Sequence, residues 1–158
     1  MNIEIERKFL VISEDFKKES QQKLYIKQGF LNSHKERTVR VRILNDTGFL
    51  TIKGISNKSG TKRLEWEKEI SFSEAEQLIC LSEKGIIEKY RYLIHVGQHV
   101  YEVDEFLNEN KGLILAEIEL KDEFEPFEKP NWLGKEVTGV AKYYNSMISK
   151  NPYKNWVK

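Results

Sequence analysis

The stretch Met1-Asn2-Ile3-Glu4-Ile5-Glu6-Arg7-Lys8-Phe9-Leu10 decides how the rest of this chain is read. An extended strand sends successive side chains to opposite faces. Glu4, Glu6 and Lys8 then share one face, and Ile3, Ile5 and Phe9 share the other. Two carboxylates and an ammonium in a row are expensive to bury. They are well suited to holding a divalent cation beside a phosphate. A single strand of this kind is common on solvated sheets, so its weight comes from recurrence.

The pattern recurs on almost every later strand. Alternating runs fall at 2–11, 25–31, 38–44, 48–54, 63–71, 87–96, 99–107 and 113–121, separated by turn signals such as Asn45-Asp46-Thr47-Gly48 and Gly97-Gln98. Arg40 and Arg42 oppose Val39, Val41 and Ile43; Lys53 shares a face with Thr51. Arg63, Glu65, Glu67 and Glu69 oppose Leu64, Trp66 and Ile70. Lys89 and Arg91 oppose Tyr90 and Tyr92, Glu102 and Asp104 oppose Tyr101 and Val103, and Glu117 and Glu119 oppose Ala116, Ile118 and Leu120. A half-buried sheet with one solvated face explains any one of these strands. It does not explain their segregation into basic pairs and acidic pairs, because like charges on neighbouring positions repel unless something neutralises them. The expectation is an α+β chain dominated by an eight-stranded antiparallel barrel, its charges lining the inside and its apolar faces turned outward under helices or a partner subunit.

Helices are few in this reading. Ser73 and Glu76 form a capping-box pattern that opens a helix over about 74–84, ending at Gly85. A short helix near 13–20 bridges the first two strands. A third, from Thr138 to Ser149, carries Val140, Tyr144, Met147 and Ile148 on one stripe. The chain of 158 residues is expected to be one domain, 1–158. Its 26 basic and 25 acidic residues leave a net charge of +1, which argues against a general nucleic-acid binder. Cys80 is the only cysteine, the charged start resembles no secretory signal, and no apolar run approaches the roughly 20 residues of a membrane span. A cytoplasmic protein is the expectation.

A cavity lined by Lys8, Arg40, Arg42, Lys53, Lys89, Arg91 and Arg63 suits a compact polyanion. The planar guanidinium fork donates two parallel hydrogen bonds to phosphate oxygens. Carboxylates cannot bind phosphate directly, but Mg2+ or Mn2+ can bridge the two.

The ordered set Glu4-x-Glu6-x-Lys8, Arg40-x-Arg42, Lys53, Glu65-x-Glu67, Lys89-x-Arg91, Glu102-x-Asp104 and Glu117-x-Glu119 resembles the CYTH superfamily, the triphosphate tunnel metalloenzymes. Glu136-Val137-Thr138 and Tyr143-Tyr144-Asn145 extend the resemblance to the end of the chain. The resemblance implies an eight-stranded tunnel that takes a triphosphate end-on with divalent metal. Lys8, Arg40, Arg42, Lys53, Lys89 and Arg91 would grip phosphate. Glu4, Glu6, Glu117 and Glu119 would hold metal, supported by Glu65, Glu67 and Asp104, and a C-terminal plug helix from Thr138 would cross one mouth. Gly139-Val140-Ala141-Lys142 departs from the acidic, Arg-containing stretch usual there. The chain most resembles a short bacterial subgroup, often labelled adenylate cyclases, whose activity resembles that of inorganic triphosphatases.

Three readings are open at this point. A metal-dependent triphosphatase, with Glu4, Glu6 or Glu119 orienting the attacking water, is favoured, and inorganic tripolyphosphate is the expected substrate. A class IV-type adenylate cyclase would need an adenine site for which the sequence gives no sign. A non-catalytic polyphosphate-binding module would have no need of the metal carboxylates. His34, His95 and His99 read as surface residues, Arg7 as a bystander, and Cys80 as a small core residue of the 74–84 helix. Lys27 is an additional candidate for phosphate, and the apolar outer strand faces suggest a homodimer.

Overall fold

The structure is a computed structural model that describes residues 2–157, so the first and last positions of the expected 1–158 unit lie outside the described residues. Its strands are β1 (Asn2–Val11), β2 (Gln22–Asn32), β3 (Arg37–Leu44), β4 (Thr47–Gly54), β5 (Lys62–Ile70), β6 (Ile87–Val96), β7 (His99–Phe106), β8 (Ile114–Glu119) and β9 (Leu133–Glu136). The sheet runs β5-β4-β3-β2-β6-β7-β8-β1-β9, and an additional β5–β1 pairing closes the first eight strands into an antiparallel barrel. β1 makes the closure along half of one edge. Its residues 2–5 pair with β5, while Phe9 and Val11 on the same edge pair with β9. The other edge pairs with β8, placing Glu6 opposite Glu119 and Lys8 opposite Glu117. β9, a four-residue strand with little alternation to mark it, lies beyond the eight expected strands.

The apolar faces do point outward. One cluster holds Phe9, Tyr92, Ile94, Tyr101, Val103, Ala116 and Ile118 under helix α1 (Phe16–Glu19) and Trp132. The Trp132 indole meets Phe16 and Tyr101 edge-on, with centroids 6.0 and 5.3 Å away, and is almost fully buried. A second cluster packs Val41 and Ile43 of β3 beneath Ala75 and Ile79 of helix α2 (Phe72–Ile79). Gly48 permits that approach, because a Cβ there would lie 2.6 Å from the Ala75 Cβ.

Three helical expectations need correction. The capping box of α2 is Ser71 with Glu74, each side chain bonding the other's backbone N–H at 3.1 Å. The sequence offers two overlapping frames, and this one sets Ala75 and Ile79 on the sheet. The helix therefore ends at Ile79 rather than 84, and Cys80 is exposed at its C-cap. The expected 138–149 helix is broken into a 3-10 turn at Ala141–Tyr143 and a short helix α3 (Asn145–Lys150). Between them Tyr144 is extended, and the Tyr143 carbonyl accepts a hydrogen bond from Lys8 Nζ at 2.9 Å instead of continuing a helix. The single stripe fails with it: Ile148 is fully buried, whereas Val140 and Met147 are exposed.

If the outer clusters supply the fold's stability, Trp132→Ala should be severe. Removing this buried aromatic should cost about 3–5 kcal/mol, read as a lowered midpoint in urea unfolding, without moving a residue of the barrel interior.

Candidate active site

Inside the barrel, strand parity places the charges on the inner wall. Among the described residues, a cavity of about 260 Å³ is lined by seven cations (Lys8, Arg40, Arg42, Lys53, Arg63, Lys89, Arg91) and seven carboxylates (Glu4, Glu6, Glu65, Glu67, Glu102, Glu117, Glu119). Every expected phosphate-gripping and metal-holding residue reaches this cavity except Asp104, which is buried just behind it. Lys27 does not reach it. Gln28 and Ile26 take the inner face of β2, and the odd-numbered Lys27 points outward beside Glu88. Phe30, Thr38, Thr51, Tyr144, Asn145 and Ser146 also line the wall, although they received no role from the sequence. Their only signal was position, on the inner parity of a strand or inside the C-terminal part of the resemblance. The three histidines stay outside the cavity, His99 bonding Glu125 at 2.6 Å. Arg7 also points out, its guanidinium donating to the Glu123 carbonyl at 3.0 Å.

The cavity has a closed end. Following the inner faces past the charges leads to Leu10, Ile87, Phe106 and Leu115, which pack with Leu113, Ile148, Tyr143, Tyr153 and Trp156. The C-terminal segment thus seals one end with apolar surface, as the expected plug was to do, though not as one helix.

The charges are not equally satisfied. Asp104 accepts two parallel hydrogen bonds from Arg91, at 2.8 and 2.9 Å, and lies 2.7 Å from Lys89 Nζ. Burial raises the Asp104 pKa, but Arg91 and Lys89 outweigh it and hold the carboxylate ionised. Burial, with Arg91 next to it, pulls Lys89 down to about 8 despite Asp104. Glu117 lies 3.5 Å from Lys8; burial raises its pKa, and Lys8, Arg91 and Lys89 together bring it below the usual carboxylate range. Glu65 lies 3.5 Å from Lys53, and Glu67 lies 3.4 Å from Arg42.

Two walls are left under-compensated. On β3, burial and the crowding of Arg40 and Arg91 lower Arg42 to about 9, and Arg40 is lowered by burial and Arg91. The Nε atoms of both Arg40 and Arg42 are buried without a hydrogen-bond partner. On the opposite wall, three and four strands away in the closed order, Glu6 and Glu119 sit directly across from each other on β1 and β8. Among the described residues neither forms an ion pair. Burial and then the Glu117 and Glu4 charges push Glu6 well above the usual range, and burial and Glu4 also raise Glu119. Glu4 Oε2 is buried without a hydrogen bond, although Lys53 Nζ lies 2.9 Å away out of line.

These carboxylates fit a divalent cation by their chemistry, since oxygen donors facing one another without a counter-charge are what such an ion relieves. Among the described residues no three acidic, His or Cys side chains are already gathered as a ligand set. Glu4 is turned to Lys53 and Arg63, so gathering it with Glu6 and Glu119 requires that contact to loosen.

Comparison with known proteins follows the same line. The CYTH domain family profile matches residues 2–151. A protein of Acetivibrio thermocellus named inorganic triphosphatase is 49% identical over 157 residues, covering 99% of both chains. One of the same name from Nitrosomonas europaea is 32% identical over 151 residues, covering 92% of this chain and 96% of the other. A crystal structure described as that of an inorganic triphosphatase superposes with a TM-score of 0.65 at 28% identity, covering 92% of this chain and 96% of that one.

The buried triad gives a test of the wall itself. Asp104→Ala leaves Lys89 buried without its ion-pair partner and Arg91 with only Glu102 at 3.3 Å, and should cost about 3–5 kcal/mol in equilibrium unfolding. An unchanged midpoint would mean that Asp104 does not neutralise these two cations.

Proposed function

The chain belongs to the CYTH domain family, and from that premise we propose that it hydrolyses the terminal phosphoanhydride of a triphosphate, with inorganic tripolyphosphate as substrate. One observation carries the choice: crowded guanidiniums with orphaned buried donors face carboxylates that have no cation. A phosphate chain supplies the acceptors that the first wall lacks. The cavity volume of about 260 Å³ falls just under the roughly 300–1,000 Å³ of drug-sized ligand sites. Among the described residues Phe30 and Tyr144 are the aromatic ones in a lining otherwise of charged and small polar side chains, which offers no apolar slot for a purine. That favours hydrolysis over cyclisation of ATP.

In this reading Arg40, Arg42, Lys53 and Arg91 bind the phosphate oxygens along the chain, and Lys8 and Lys89 hold its inner end. Glu4, Glu6 and Glu119 would hold Mg2+ or Mn2+. Glu117, Glu65, Glu67 and Asp104 fix the cations they touch. The divalent ion, when bound, offsets phosphate charge and lowers the pKa of a water. Glu119 or Glu6 orients a water in line with the terminal phosphorus and accepts its proton. The water oxygen bonds to phosphorus, the bridging P–O bond breaks, and orthophosphate and pyrophosphate leave. The charged groups are in place before substrate arrives, so little reorganisation is needed. No helix among the described residues is long and apolar enough to cross a membrane, and a cytoplasmic location agrees with the free Cys80.

The test is to incubate the protein with tripolyphosphate and separately with ATP, each with Mg2+ or Mn2+, and to measure orthophosphate and cyclic AMP together. Orthophosphate from tripolyphosphate, lost with chelator and with Glu6→Gln, and a raised KM in Arg42→Ala, are expected. Cyclic AMP as the main product would replace this reading with the cyclase.

A homodimer is the oligomeric state we expect. Ile3 pairs with Leu64 and Ile52 with Trp66 on an outer face of β1, β5 and β4. These four are between 37% and 66% exposed, a contiguous apolar strip larger than isolated surface residues make. Light scattering should give twice the chain mass, and Trp66→Glu should halve it; a monomer at high concentration removes the idea.

A further inference from the structure

We propose that Asn145 is a substrate-binding residue, whose side-chain NH2 donates to the innermost phosphate of a chain seated against the closed end of the cavity. The proposal rests on the triphosphatase reading and adds to it a neutral contact that the charged residues do not supply.

The orientation of this amide follows from hydrogen-bond chemistry. An ammonium has three donors and no acceptor. Lys89 Nζ lies 2.9 Å from Asn145 Oδ1, so the amide oxygen must face the lysine. Gln28 Nε2 reaches the same oxygen at 3.1 Å, which occupies both of its lone pairs. Gln28 is itself fully buried and has no other side-chain partner among the described residues, so the arrangement fixes it as well. What remains for Asn145 to present to the cavity it lines is the NH2 group, which has no hydrogen-bond partner among the described residues.

The depth of Asn145 is also fixed. A Cβ on Gly60 would lie 2.3 Å from Gly139 Cα, and one on Gly85 would lie 1.8 Å from the Ser149 carbonyl oxygen. Both glycines have positive φ, so the two backbones meet where only glycine fits. These contacts hold the C-terminal segment on either side of Asn145. Lys8 Nζ, bonded to the Tyr143 carbonyl at 2.9 Å, ties the same segment from the opposite wall. Behind it lie Ile148, Ile87, Phe106 and Leu115, an apolar cluster with no affinity for phosphate. A phosphate chain entering at the open mouth must end here. A neutral donor suits this place, because a further cation beside Lys8, Lys89 and Arg91 would add to repulsion already present.

Two variants separate binding from packing. Asn145→Asp keeps an oxygen for Lys89 and Gln28 but replaces the donor by an acceptor carrying charge. Asn145→Ser is a smaller change and serves as the second variant. Each is compared with wild type by kinetics on tripolyphosphate with Mg2+ and by the shift in melting temperature that tripolyphosphate produces. The expected result in Asn145→Asp is a KM raised roughly tenfold or more, the scale of one charge-assisted hydrogen bond, with a smaller change in kcat. The ligand-induced melting shift should shrink in both variants. A lowered melting temperature with unchanged KM and unchanged ligand shift would make Asn145 a packing residue and overturn the proposal. If wild type is stabilised by tripolyphosphate but releases no orthophosphate, the triphosphatase reading fails, and the melting shifts still decide whether Asn145 binds.

Discussion

Asp104, held between Lys89 at 2.7 Å and Arg91 at 2.8 Å, shows the constraint under which this barrel is built. Taking an ion out of water costs several kcal/mol unless the partner geometry is good. A barrel that fills its interior with charges therefore cannot draw its stability from that interior. Stability has to come from elsewhere: Phe9, Tyr101 and Val41 pack on outer strand faces beneath α1, α2 and Trp132, and the apolar cluster of Ile87, Phe106 and Leu115 seals one end of the interior. Packing is inverted relative to an ordinary small barrel, whose interior is filled by side chains.

The same constraint explains the uneven satisfaction of the charges. Where the wall needs rigidity, carboxylates are spent on cations: Asp104 on Lys89 and Arg91, Glu117 on Lys8, Glu65 on Lys53. Where, under the proposed function, the wall meets a ligand, partners are withheld. Arg40 and Arg42 keep unbonded Nε atoms, and Glu6 faces Glu119 across β1 and β8. Such groups destabilise the empty protein, and a ligand that satisfies them stabilises the folded state by linkage.

Strand parity was legible in the sequence because the side-chain period of a strand is 2 and the inner residues are charged. Arg40-Val41-Arg42 and Glu117-Ile118-Glu119 name their own inner face. The expectation of a barrel with an acid and base lining followed from this, and the closed β5–β1 pairing carries it out. Elements whose conformation depends on distant partners were not legible. The C-terminal stretch reads as a helix until the Tyr143 carbonyl is seen to serve Lys8, more than a hundred residues away. β9 forms only because the edge of β1 beyond its pairing with β5 is free to accept it. The two overlapping Ser-x-x-Glu frames of α2 are equivalent locally, and contact with Val41 and Ile43 decides between them. Asn145 carries no charge or period to single it out. Its place becomes clear only from the Lys89 and Gln28 contacts.

Seven cations against seven carboxylates leave the cavity with no formal excess of charge, and the whole chain carries only +1. Long-range attraction of anions is therefore not its means of selection. Under the proposed function selection comes from local imbalance, with Arg40 and Arg42 crowded together on β3 and Glu6 facing Glu119 without an ion pair on β1 and β8. A bare phosphate chain would satisfy the first wall and be repelled by the second. A divalent cation alone would do the reverse. The complex of the two satisfies both, so under the proposed function the site recognises the metal-bound polyphosphate as a unit. The closed end then adds a limit on length that charge cannot supply, since a chain can enter only until its end meets the residues between Gly139 and Ser149.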